Sequence, residues 1–254
     1  MNIRILLILF TYLFFAEAHS AEQEAHSIAA MMQQAKYSNG FEARLNISVT
    51  KANGAQAFPL KLAVIGQVAA DKQRVVIRGI SPDWVREQYF AVEQLQDGRI
   101  KAVQYQTAKM AEFSPFDVNA KLLESNLVAW DMLSPWWGWP TQIFAGRGYI
   151  NGRDCINIRS INNNKNAAIR EVESCVDQQA KVSLKTRLFG AQQQLLRMTT
   201  VVKLMAKGEE GAMIAKKLTI QEAGKMRTEI EVYAGDDQYQ VSPETFAALD
   251  RPTS

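Results

Sequence analysis

The chain has 254 residues, 47% hydrophobic and 22% charged, with a formal net charge of +3. That balance supplies a sizeable core and excludes a disordered chain, and its interspersed Lys, Arg, Asp and Glu form no basic block of the kind that binds nucleic acid. Its two histidines, His19 and His26, lie at the N-terminal end. The rest of the chain therefore lacks imidazole for a Ser-His or Cys-His pair or a typical zinc site, so neither an enzyme nor a cofactor nor a metal is expected.

Arg4 precedes an apolar run from Ile5 to Phe15, broken only by Thr11 and Tyr12, and small residues follow at Ala16, Ala18, Ser20 and Ala21. This reads as a signal peptide over residues 1–20, cleaved near 18–21; the run is too short to span a bilayer. No cysteine follows it, so no lipid anchor is expected. The mature chain, 21–254, is expected to be a single periplasmic domain with peripheral or no membrane association.

Ala21 to Lys36 has Ile28, Met31, Met32 and Ala35 at helical spacing, with Asn39-Gly40 as the stop. From Phe41 the period becomes two: Phe41, Ala43, Leu45, Ile47 and Val49 alternate with polar residues, as in a strand with one wet face. Further strand-like runs cover Leu60–Val68, Gln73–Ile80, Trp84–Leu95 and Arg99–Gln106, and Asp97-Gly98 marks a hairpin between the last two. Between Phe113 and Pro140, Leu122, Leu123, Leu127, Trp130 and Leu133 suggest one or two short helices. Seven further runs follow, from Gln142 to Ala234, and a sheet of about eleven strands is expected. Their short connections predict an α+β fold: an antiparallel meander that curls around its apolar face, covered by the N-terminal helix and the short central helices.

Cys155 and Cys175 are the only cysteines, and they flank the turn Asn162-Asn163-Asn164-Lys165-Asn166. Placing them opposite each other sets Arg159 against Glu171, Ile158 against Val172 and Ile161 against Ile169, pairing charge with charge and apolar with apolar. A structural cross-strand disulfide is the expectation; Cys-x-x-Cys spacing is absent. Trp136, Trp137 and Trp139 lie between Pro135 and Pro140. Such a loop either plugs the core or forms an apolar lid.

Several short segments carry a resemblance to a known family. The helix leads through Tyr37-Ser38-Asn39-Gly40-Phe41-Glu42-Ala43 into the first strand. Gly66-Gln67-Val68-Ala69-Ala70-Asp71 precedes Arg74, the Asp97-Gly98 hairpin runs on to Tyr105, and Ser242-Pro243-Glu244-Thr245-Phe246 closes the chain. In element order and in these motifs the chain resembles the outer-membrane lipoprotein-sorting (LolA-like) proteins, in their divergent branch. The resemblance implies an incomplete antiparallel β-barrel whose hydrophobic cavity holds acyl chains of lipoproteins or lipids. The candidate cavity or lid residues are Leu45, Trp84, Phe90, Trp130, Trp136, Trp137, Trp139, Leu184, Leu188 and Met198, and the resemblance implies Arg44 as a lid-closing arginine. The cysteine pair and the Trp-rich segment depart from that family. Implied partners are lipid or lipoprotein acyl chains, an inner-membrane transporter and an outer-membrane acceptor. The alternative is an accessory subunit of an envelope export complex, its cavity filled by its own side chains.

Overall fold

The structure, a computed structural model, describes residues 21–57, 59–106, 113–207, 212–222 and 226–251, the side chains of Lys207 and Ala212 excepted. The expected signal peptide, residues 1–20, lies outside the described residues. A helix over residues 21–34 (α1) opens the chain. Six strands follow: β1 (Ser38–Thr50), β2 (Leu60–Val68), β3 (Lys72–Ser81), β4 (Gln88–Leu95), β5 (Ile100–Gln106) and the two-residue β6 (Ser114–Pro115). A short helix α2 (Ala129–Leu133) and a 3-10 turn (Pro135–Gly138) lead to β7 (Thr141–Ile150), β8 (Arg153–Ile161), β9 (Glu171–Asp177) and β10 (Val182–Phe189). Then come β11 (Leu195–Lys207), β12 (Ala212–Gln221), β13 (Arg227–Asp236), a 3-10 turn (Pro243–Phe246) and α3 (Ala247–Asp250). The fold class is as expected, α+β with an unclosed antiparallel sheet and short helices, but the described residues form thirteen strands where about eleven were expected.

Two local differences have clear causes. Asn39-Gly40 does not cap α1; both residues lie within β1. There Gly40 allows a close approach, since a Cβ would sit 2.2 Å from the Tyr239 carbonyl oxygen. The run starting at Trp84 does not begin as a strand, because Asp83–Val85 winds one 3-10 turn before β4.

The described residues divide into two compact units, residues 21–35 with 136–194, and residues 36–135 with 195–251. In the larger unit the strand order is β6-β5-β4-β3-β2-β1-β13-β12-β11. Its middle strands are apolar on both faces because both are covered. One face joins Leu45, Ile47, Leu62, Val75, Ile77 and Phe90 to Leu122, Leu127 and Leu133 of the central segment. The opposite face packs Val76, Ala91 and Val103 against Phe246, Ala248 and Leu249. Each buried Leu, Ile, Val or Phe side chain there contributes roughly 1.5–3 kcal/mol. The C-terminal segment is also tied by polar contacts. Arg74 binds Glu93 at 2.5 Å and Asp250 at 2.6 Å and lies 5.5 Å from the Phe246 ring centroid. Lys101 donates to the Leu249 carbonyl at 2.6 Å.

The smaller unit contains α1 and the order β10-β9-β8-β7. Cys155 and Cys175 form the disulfide, with Cα atoms 5.3 Å apart. Its register is two residues away from the sequence expectation: Asn157 faces Cys175, Arg159 faces Glu173, Ile158 faces Ser174 and Ile161 faces Glu171. The cysteines are joined on a diagonal, and residues two apart on one face of a strand remain within side-chain reach. Arg159 accordingly still grips Glu171 bidentately, at 2.6 and 2.9 Å, and holds that carboxyl below the usual range. Buried Gln142 anchors the tryptophan turn, donating to the carbonyls of Trp136 (3.0 Å) and Trp139 (2.9 Å) while accepting from Ser160 (2.7 Å).

Candidate functional site

The larger unit carries the site that the sequence pattern and the geometry share. Residues 116–133 cross the core-facing side of its sheet as a chain of apolar side chains with little regular structure. Lys121 and Val128 form an isolated antiparallel bridge, and the loop between them is tied down from outside. The Asn126 backbone N–H donates to Thr228 Oγ1 at 2.8 Å, and its side-chain amide donates to the carbonyls of Ile220 and Met226. Lys121 binds Glu222 at 2.9 Å. To close this loop, Leu123 and Glu124 adopt φ of +52° and +56°. Consecutive left-handed residues that are not glycine are strained, and such strain persists only where neighbouring contacts enforce it.

Beside that strained pair lies an open cleft of about 360 Å³. Val49, Ala57, Pro59, Leu60, Leu123 and Trp84 give it apolar walls, with Lys51, Gln56 and Glu124 at the rim. Trp84 is 49% exposed, whereas Val85 beside it is fully buried. This follows from the 3-10 turn: Val85 packs so tightly on β3 that a Cβ at Gly79 would lie 1.8 Å from the Val85 carbonyl oxygen. Val49, Leu60 and Leu123 also belong to the buried core, so the cleft is the place where that core meets solvent.

The far end of the central segment is held by three polar side chains that sequence reasoning missed. Lys36 donates to the carbonyls of Leu133 (2.8 Å) and Ser134 (3.2 Å), where α2 ends and Ser134 turns left-handed. Gln73 donates to the Met132 carbonyl at 3.1 Å. Arg197 of β11 clamps Asp131 of α2 bidentately, at 2.9 and 2.6 Å. Burial lowers the Lys36 ammonium to about 8. It raises the Asp131 carboxyl against the opposing pull of Arg197. A positive group at a helix C-terminus is favourable, and these contacts satisfy carbonyls that a five-residue helix would leave bare.

The expected site residues are placed differently from one another. In the larger unit Leu45 and Phe90 lie in the core, Trp84 borders the cleft, Trp130 is buried and Met198 half-buried. Arg44 is 41% exposed and binds Glu42 of its own strand at 3.0 Å; the arginine that binds the central helix is Arg197. In the smaller unit Trp136, Trp137, Leu184 and Leu188 are buried, and Trp139 is half-buried. The signal for Asp131 and Arg197 was present: each is a lone charge in an apolar run. Among the described residues no three His, Cys, Asp or Glu side chains assemble a metal site. No described helix is long and apolar enough to cross a membrane.

No family model matches the sequence and no curated protein matches it. Solved structures do share its fold. A DUF1329 family protein from Desulfovibrio piger is 13% identical with a TM-score of 0.78, the match covering 89% of this chain and 97% of that one. A putative outer membrane lipoprotein-sorting protein domain from Vibrio parahaemolyticus is also 13% identical, over 89% and 97% of the two chains, with a TM-score of 0.76. A LolA superfamily protein from Nitrosomonas europaea gives 12% identity and a TM-score of 0.67 over 87% and 96%. At these identities the likeness is one of fold: the chain has the incomplete antiparallel-barrel, LolA-like architecture.

Proposed function

We propose that this protein is a non-enzymatic periplasmic carrier that holds the acyl chain of a lipoprotein or lipid against the apolar sheet face of its larger unit. The observation that carries the reading is the open apolar cleft beneath Trp84, continuous with the core and bordered by a strained loop. The fold shared with a putative lipoprotein-sorting domain and a LolA superfamily protein supports it. Binding is by partition, each buried methylene contributing about 0.8 kcal/mol. Release then calls for a competing apolar site on a transporter or outer-membrane acceptor. Leu45, Phe90, Trp130 and Met198 are the further apolar residues of the larger unit proposed to meet cargo; Trp136, Trp137, Trp139, Leu184 and Leu188 are proposed separately, as an apolar cluster within the smaller unit.

A second reading, an accessory subunit of an export complex without lipid cargo, is favoured by one observation. Leu122, Leu127 and Leu133 of the central segment already bury the sheet face. Titration of the mature chain with palmitate, read by tryptophan fluorescence, separates the two. The carrier reading expects saturable binding that Trp84→Ala weakens about tenfold, a loss of ~1.4 kcal/mol, with thermal stability unchanged. Trp137→Ala in the same titration measures the tryptophan turn. Absence of saturable palmitate binding would establish the accessory reading.

A further inference from the structure

A second cleft, of about 370 Å³, opens on the larger unit where β4, β5 and β6 meet. Its lining differs from that of the Trp84 cleft. Gln88, Gln104, Gln106 and Ser114 supply amides and a hydroxyl, Tyr89 and Tyr105 supply phenols, Phe90 supplies an apolar ring, and among the described residues no Lys, Arg, Asp or Glu contributes. β6 is only two residues long and pairs with Val103 and Gln104 alone, so the sheet edge stops short beside Tyr105 and Gln106.

The polar groups here are positioned but incompletely used. Gln88 donates its amide to the Trp84 carbonyl at 2.8 Å, and Gln104 donates to Ser114 Oγ at 3.3 Å, which leaves the amide oxygens of both as acceptors. Tyr105 is 8% exposed, its ring stacked on Tyr89 with centroids 4.9 Å apart and planes at 16°. Its hydroxyl makes no hydrogen bond within the described residues. Burial, with Tyr89 beside it, pushes its ionisation up to about 12, so it remains a donor across the physiological range.

We infer that this cleft binds a neutral saccharide. A phosphate, carboxylate or ammonium ligand would be desolvated there with no countercharge from the described residues of the lining. An acyl chain would strand the amides and the Tyr105 hydroxyl without partners, at a cost of about 1–3 kcal/mol for each group. A sugar ring presents alternating hydroxyl donors and acceptors that match carboxamides, which do both. The cleft volume lies in the range of small-molecule sites, roughly 300–1,000 Å³. The same chemistry is available from a free oligosaccharide and from the sugar headgroup of a neutral glycolipid.

The test uses the full mature chain. Maltotriose and chitotriose are titrated by saturation-transfer NMR, and co-flotation is measured with phosphatidylcholine vesicles with and without glucosyl-diacylglycerol. Saturable binding of a soluble trisaccharide supports the site and identifies free glycan as the source. Flotation with glucosyl-diacylglycerol vesicles alone supports it with the headgroup as source. In either arm Tyr105→Phe, which keeps the buried ring, and Gln104→Leu, at an exposed position, should each weaken binding about tenfold, the worth of one polar contact, without lowering the melting temperature. No binding in both arms, or binding that survives both substitutions unchanged, overturns the inference. Palmitate affinity at the Trp84 cleft should be indifferent to either substitution.

Discussion

Lys36 makes a prediction that separates its charge from its contacts. Its folded-state ionisation lies near 8 against an ordinary value of 10.5, so burial disfavours the charged form. Between those values the unfolded chain binds more protons than the folded one, and stability therefore rises with pH from 8 towards 10.5. In Lys36→Met that rise should vanish when denaturant midpoints are compared at pH 7.5, 9 and 10. The two arginines make a contrasting pair. Arg197 is 9% exposed and paired with Asp131; Arg197→Met leaves that carboxylate buried alone and should cost about 3–5 kcal/mol. Arg44→Ala removes a half-exposed ion pair and should stay within about 1 kcal/mol. Urea unfolding of both variants checks the order. Arg44 drew attention because it follows a family-like motif. Arg197 was legible only as a charge out of place, since finding Asp131 on the other side of the core requires the tertiary fold.

At the scale of elements, strands were readable and the central segment was not. Period-two alternation in β1, β10 and β13 reflects one covered and one wet face, a property each strand carries alone. Residues 116–135 obey no period, because they are shaped by Asn126, Lys121, Lys36 and Arg197 reaching partners more than sixty residues away. The β8–β9 register was misjudged by two because a disulfide does not require its cysteines to be directly opposed, and the diagonal keeps the same side-chain partners in reach. Gly79 tests how strictly one element positions the site. Gly79→Ala must push the Val85 carbonyl away and should destabilise the fold by about 1–3 kcal/mol. It should also shift Trp84 emission, while Gly98→Ala, on the remote β4–β5 hairpin where a Cβ meets nothing within 4 Å, should leave Trp84 emission unchanged.

For the whole molecule, the disulfide and the proposed export have separate tests. Cys155 and Cys175 are 20 residues apart in sequence, and opening their bond should cost roughly 2–4 kcal/mol through the looser unfolded chain. Cys155→Ala/Cys175→Ala compared with the parent in urea measures this. Protein recovered from the periplasm should begin between His19 and Glu22, as N-terminal sequencing would show. The fold class was legible because composition, strand spacing and turn residues agree. The grouping of residues 21–35 with 136–194 was not, because those segments are contiguous only in space.

The central segment has a consequence for any guest of the apolar face. Leu122, Leu127 and Leu133 are tenants already in residence, so an incoming acyl chain exchanges one apolar surface for another. The observed affinity is then the intrinsic affinity divided by the occupancy advantage of the segment. Such a site grips weakly in proportion to how well it closes when empty. Loosening the segment, by Asn126→Ala or Arg197→Met, should therefore raise cargo affinity while lowering the stability of the empty protein.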